Sequence, residues 1–186
     1  MNGYVLTGGR SRRMGQSKTA LFLSRVVAAA QPVFDSVIAV QRFGGEACEI
    51  ETIFEEPHEE EAPLFGVVRA LQHARGRCVI LAVDYPLLSS PFLAFLRARV
   101  EASAAPLVVP EWDGVPQMLC AGYDAALLPL LKRRIARGEL DLRGLIAEAG
   151  AEMIRETELR ARFGGEPLMN VNTPEEREQA EGLYGR

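Results

Sequence analysis

Short apolar runs alternate along the chain with longer stretches in which apolar residues return every three or four positions. The short runs predict strands at Gly3–Thr7, Ser36–Gln41, Glu51–Phe54, Arg77–Val83, Pro106–Pro110 and Gln117–Tyr123, and a weaker one near Glu152–Glu156. The longer stretches predict helices at Ser24–Gln31, Phe65–Ala74, Pro91–Glu101, Leu128–Arg137, Leu142–Ala149 and Pro174–Leu183. Strand and helix taking turns in this way favour an α/β fold of three layers, a mostly parallel twisted sheet with helices on both faces. No repeat, low-complexity linker or change of composition divides the chain, so residues 1–186 read as a single domain.

One strand stands out. Cys78-Val79-Ile80-Leu81-Ala82-Val83 is apolar without alternation, the pattern of a strand covered on both faces and therefore central. Asp84 follows it at once, and Pro86 stops it from continuing. In open α/β sheets ligands bind beyond the carboxyl ends of the strands. Both Asp84 and the segment after Thr7 would lie at that edge. Other boundaries have local causes without chemistry. Thr173-Pro174-Glu175-Glu176 and Ser90-Pro91 have the form of helix starts, and Gly138 after Arg134 and Arg137 that of a helix end.

Composition narrows the class. With 186 residues, 48% of them hydrophobic and 25% charged, the chain can bury a core without metal or disulfide support. Cys48, Cys78 and Cys120 have neither metal-ligand nor disulfide spacing and read as reduced thiols. No apolar run approaches the ~20 residues needed to span a bilayer, and the N-terminus lacks the regions of a secretion signal, so no membrane association and a cytoplasmic location are expected. A net charge of -4 argues against nucleic acid as a partner. The charge is uneven, however. Eight glutamates lie between Glu46 and Glu61, which reads as a solvated acidic loop, whereas Arg10 to Lys18 carries four cations and no acid.

That cationic run continues the first strand: Leu6-Thr7-Gly8-Gly9-Arg10-Ser11-Arg12-Arg13-Met14-Gly15-Gln16-Ser17-Lys18. Paired glycines let the backbone turn tightly and bring bare N–H groups against a ligand. Arginine forks and a lysine point charge directly after such a turn suit a substrate with several phosphates. The run contains neither the P-loop spacing nor the G-x-G-x-x-G of dinucleotide folds. Arg13 and Lys18 are the candidates for neutralising phosphates, and Asp84, taken alone, either anchors a metal ion or caps the next turn. Neither His58 nor His73 is assigned a part in this chemistry.

The opening motif resembles the signature of nucleotidyltransferases that join a nucleoside monophosphate to a phosphorylated acceptor. Three further segments extend the likeness: Ala62-Pro63-Leu64-Phe65-Gly66, Val83-Asp84-Tyr85-Pro86-Leu87-Leu88 and Asn170-Val171-Asn172-Thr173-Pro174-Glu175. Together they span residues 5 to 176 in order and resemble the molybdenum cofactor guanylyltransferase family. The resemblance implies a Rossmann-like nucleotidyltransferase fold, GTP and molybdopterin as substrates, Mg²⁺ as cofactor, and molybdenum-insertion or acceptor molybdoenzymes as partners. It implies GTP contacts from Leu6, Thr7, Gly8, Gly9, Lys18, Gly66 and Asp84, with guanine read around Leu6 and at Pro63–Gly66. Catalysis would fall to Arg13, Lys18 and Asp84, the metal to Asp84, and the pterin side to Asn170 and Asn172. Trp112, in what reads as a hairpin tip, is either a pterin-stacking ring or an exposed turn aromatic.

The chain departs from the family pattern at several points. Thr7 replaces an alanine, and Ser17 an acid. Leu23 passes directly to Ser24 where the family has a strand and a turn before its helix, as though residues were missing there. The family's base-side asparagine falls on Gln41 or Val40, and its aspartate on Glu55 or Glu56. These changes keep a cytidylyltransferase for the same acceptor open as an alternative. A non-catalytic nucleotide-binding module is the reading from another class.

Overall fold

The structure is a computed structural model that describes residues 1–7, 18–45, 48–164 and 167–169, with backbone only for 18–21. Its sheet is eight-stranded, in the order β3-β2-β1-β4-β7-β5-β6, with β8 added alongside β5. The strands are β1 (Asn2–Leu6), β2 (Val37–Gln41), β3 (Thr52–Phe54), β4 (Cys78–Ala82), β5 (Leu107–Trp112), β6 (Val115–Pro116), β7 (Cys120–Tyr123) and β8 (Glu152–Ile154). β1, β2, β3 and β4 run parallel, and β5 pairs β8 in parallel. β7 is reversed between β4 and β5, and β6 folds back on β5. The expected strands are therefore present, and the exception to a wholly parallel sheet is one hairpin and one inserted strand.

Helices α1 (Lys18–Ala30), α2 (Pro63–Ala74), α3 (Ser90–Ala102), α4 (Leu128–Ala136), α5 (Leu145–Ala149) and α6 (Glu156–Phe163) cover both faces. The period of two along each strand sorts the side chains between them. Cys78 and Ile80 of β4 enter one core with Leu64, Val67, Ala70 and Leu71 of α2, Leu131 of α4 and Leu145 of α5. Val79 and Leu81 enter the other with Val26 and Ala30 of α1, Phe92, Leu93, Leu96 and Val100 of α3, and Leu159 of α6. The expected three layers are present, and β4 is buried along its whole length.

Several details correct the sequence reading. α1 starts at Lys18 rather than at Ser24 and runs through Leu23–Ser24 to Ala30. α2 begins at Pro63 rather than at Phe65, so Pro63–Gly66 forms its first turn, with Pro63 at a position whose N–H would have no helical partner anyway. Ser89, not Ser90, caps α3 by accepting from the Phe92 N–H, while Ser90 donates to Ala29 O and ties α3 to α1. Helix α6 has no counterpart in the sequence reading. The helix expected at Pro174–Leu183 lies outside the described residues.

Candidate functional site

Parallel pairing lines up four strand ends. In the register of the sheet Leu6 stands level with Val40 on one side and Ala82 on the other, and Gln41 stands level with Phe54. Thr7, Glu55 and Asp84, which follow β1, β3 and β4, therefore gather with Gln41, the last residue of β2, along one edge of the sheet. This is the edge at which a parallel α/β sheet binds its ligands.

Thr7 is buried where the glycine loop begins. Its N–H donates to Val40 O at 3.0 Å and its hydroxyl donates to the same oxygen at 3.1 Å. The hydroxyl that replaces the family's alanine is thus spent on the neighbouring strand, fixing the direction in which the chain leaves β1. Asp84 stands two residues past the end of β4, in a turn with Val83, half-buried and with Oδ1 shut off from solvent. Tyr85 behind it is buried, and its hydroxyl donates to Gln117 Oε1 at 2.9 Å. Burial of Tyr85 pushes its phenol far above the ordinary range, so this hydroxyl stays neutral and acts as a donor.

The four residues of the base-side alternatives differ in where they stand. Val40 is buried in the sheet, so its side chain belongs to the core. Gln41 ends β2, and its amide donates to Cys48 Sγ at 3.2 Å. Glu56 reaches outward to the Gln72 amide at the surface. Glu55 turns inward: its N–H donates to Gln41 O at 2.8 Å, and its Oε1 lies 3.0 Å from the place a Gly66 Cβ would take. Leu6 Cδ2 lies 3.1 Å from that same place. Any side chain at position 66 would press on both, so the absence of one in α2 creates the corner where Leu6, Glu55 and Gly66 meet. The acidic tract is therefore not uniformly solvated, because Glu55 within it is only 11% exposed.

His58, to which sequence reasoning gives no task, completes this corner. Its Nε2 lies 2.7 Å from Glu55 Oε2 and its Nδ1 lies 2.6 Å from Glu60 O, and its ring stacks on Phe65 at 3.8 Å with 16° between the planes. Both ring nitrogens face oxygen atoms. The signal in the sequence is slight: one histidine three residues after an acid, in a tract otherwise made of acids. His73, in contrast, meets the Tyr4 hydroxyl at 2.9 Å and joins α2 to β1.

Trp112 is neither expected thing. Asp113 and Gly114 take left-handed backbone, φ 50° and 68°, and close the β5–β6 hairpin, as Asp-Gly pairs do. The indole before them is buried at 2% exposure, and the Arg160 guanidinium lies over it 4.2 Å from the ring centre. A pterin has no open face here. Cys78 and Cys120 are buried free thiols as expected, and burial raises the Cys78 thiol to about 12, which keeps it unreactive. Among the described residues, no helix is long and apolar enough to cross a membrane, and no three His, Cys, Asp or Glu side chains converge as a metal cage. Gly8, Gly9, Arg13, Asn170 and Asn172, and the Lys18 side chain, lie outside the described residues.

Comparison with known proteins places this edge in context. Residues 3–153 match the family model described as the MobA-like NTP transferase domain. A protein from Opitutus terrae named "Probable molybdenum cofactor guanylyltransferase" is 32% identical over 196 residues, covering 95% of this chain and 93% of that one. One of the same name from Bacillus licheniformis is 28% identical, with 97% and 96% covered. Among solved structures, the molybdopterin-guanine dinucleotide biosynthesis protein A of Archaeoglobus fulgidus superposes with a TM-score of 0.86 at 26% identity, covering 98% of each chain. A 2-C-methyl-D-erythritol 4-phosphate cytidylyltransferase from Thermus thermophilus, at 18% identity and a TM-score of 0.66, shares the fold.

Proposed function

The chain belongs to the MobA-like NTP transferase family, and we propose that it moves GMP from GTP onto molybdenum-loaded molybdopterin, releasing pyrophosphate and forming the guanine dinucleotide form of the cofactor. The observation that carries the reading is the shared edge. Thr7 and Asp84 follow adjacent parallel strands, and the corner of Leu6, Glu55 and Gly66 lies beside them. The names of relatives that align over nearly the whole chain supply the acceptor and the base.

An oxygen of the acceptor's terminal phosphate attacks the α-phosphorus in line. The bond between that phosphorus and the bridging oxygen breaks, and the electron pair leaves with pyrophosphate. A phosphate with a second pKa near 6 is already a nucleophile, so no side chain has to take a proton. The protein's work is to place two polyanions together and to offset their charge. Gly8 and Gly9 would offer backbone N–H groups, and Arg13 and Lys18 would neutralise the triphosphate and the acceptor phosphate. Asn170 and Asn172 would meet the pterin. Glu55 would accept from guanine, whose ring N–H and 2-amino group are neighbouring donors.

Asp84 fits a Mg²⁺ site of the kind shared with substrate: one carboxylate, held in a turn at a strand end, with the remaining ligands left to phosphate oxygens and water. When bound, the ion would draw off the charge that builds on the leaving pyrophosphate. The triphosphate it consumes places the work in the cytoplasm, with the product passing to molybdenum-insertion or acceptor molybdoenzymes. Incubating the purified protein with molybdenum-loaded molybdopterin and each nucleoside triphosphate in turn tests the reading. Pyrophosphate release is expected with GTP and Mg²⁺ and is abolished by chelation. Equal release with CTP would remove the guanine assignment.

A further inference from the structure

We infer that His58 is a positioning residue for base selection, holding the Glu55 carboxylate against the place where the nucleobase sits. The inference rests on the GTP reading above and adds the means by which guanine is told apart from other bases.

The two oxygens of Glu55 are set apart by their surroundings. Oε2 faces His58 Nε2 at 2.7 Å, and Oε1 faces the Gly66 corner, 3.0 Å from where a Cβ would lie. His58 is placed in turn by its surroundings: its Nδ1 lies 2.6 Å from Glu60 O and its ring lies flat on Phe65. Phe65 and Gly66 are successive residues in the first turn of α2. One turn of helix therefore supplies the platform for the imidazole and the gap that receives the carboxylate.

An unrestrained glutamate samples many rotamers and loses that freedom on binding. One clamped beforehand meets its ligand with less loss, and it cannot turn aside to suit another base. The chemistry follows from what a carboxylate lacks. It accepts and does not donate, so it pairs with the adjacent donors of guanine and repels bases that place a ring acceptor there, as cytosine and adenine do. Discrimination of this kind is strong because the wrong base leaves a partly buried charge unpaired.

The test is the affinity of the full chain for GTP, ITP and CTP with Mg²⁺ present, by calorimetry, in four proteins: wild type, His58→Phe, His58→Gln and Glu55→Gln. ITP lacks only the 2-amino group. His58→Phe keeps a ring to stack on Phe65 but has no donor, whereas His58→Gln keeps a donor near the position of Nε2. Wild type is expected to prefer GTP to ITP by about 10-fold. His58→Phe and Glu55→Gln should lose most of that preference, and His58→Gln should recover it, with thermal melts showing each protein folded. A His58→Phe protein that keeps the wild-type preference, or one whose affinities for GTP and ITP fall by the same factor, overturns the inference alone. A wild type that binds CTP as well as GTP overturns the proposed function and this inference with it.

Discussion

The carboxyl edge of the sheet divides at β7, and its two sides put their polar groups to different use. On the side of β1 to β4, parallel strands end together, and Thr7, Gln41, Glu55 and Asp84 stand in a row. Beyond β7 the polar groups are engaged by one another. Gln117 accepts from Tyr85 and donates to the carbonyls of Trp112 and Val115. Arg160 covers Trp112 and pairs with Asp113 and Glu156, and Glu156 also receives the Gly114 N–H. A reversed strand and a hairpin turn the chain back on itself, so their loops close locally. Parallel strands need crossovers, and the residues at the crossing points stay together facing outward. Function is therefore expected on the first side and structure on the second.

The sharpest way to break this contrast is Asp84→Asn, which keeps the shape of the side chain and removes its charge. Pyrophosphate release should fall by at least about 100-fold with the fold intact by thermal melt. Undiminished turnover would show that the strand end has no part in charge compensation. Gly66→Ala comes next. Its methyl would crowd Glu55 Oε1 and both Leu6 methyls, and GTP affinity should drop about 10-fold for a stability loss of about 1–2 kcal/mol. Calorimetry with GTP separates the two effects, and an unchanged affinity would move the base away from this corner.

The elements from β1 to β4 were more legible in the sequence than those beyond β7. β4 was legible because a strand covered on both faces must be apolar throughout, and the place of Asp84 just past its end because Pro86 stops the strand from continuing. The corner was legible only in part. Position 66 lies in a motif, but which of Glu55 and Glu56 meets Gly66 depends on how the chain leaves β3, and that is set by the β2–β3 register. Helix α6 was invisible because only Leu159 of its residues is buried. Its register is supported by a Glu156–Arg160 pair one turn apart, which leaves no apolar period to read. Trp112 was misjudged because its cover, Arg160, is distant in sequence.

Thr7→Ala sharpens the comparison from within the functional side. The hydroxyl donates to the Val40 carbonyl, which the Thr7 N–H already engages. Losing it should lower stability by about 1 kcal/mol, read as a shift in urea midpoint, and leave turnover within about 2-fold. A larger loss of turnover would give the hydroxyl a ligand role and extend the functional row inward by one residue.

The smallest effect is expected across the divide, at Trp112→Phe. The indole N–H is buried and meets no hydrogen-bond partner among the described residues, so phenylalanine removes an unsatisfied donor while giving up some volume and part of the stacking under Arg160. These terms oppose each other, and stability should change by no more than about 1 kcal/mol. Turnover and the KM for the pterin acceptor should not move, since Arg160 already occupies the ring face that a pterin would need. A raised acceptor KM in this variant would mean that Arg160 swings off the ring when the acceptor arrives, and the side of the edge beyond β7 would join the site.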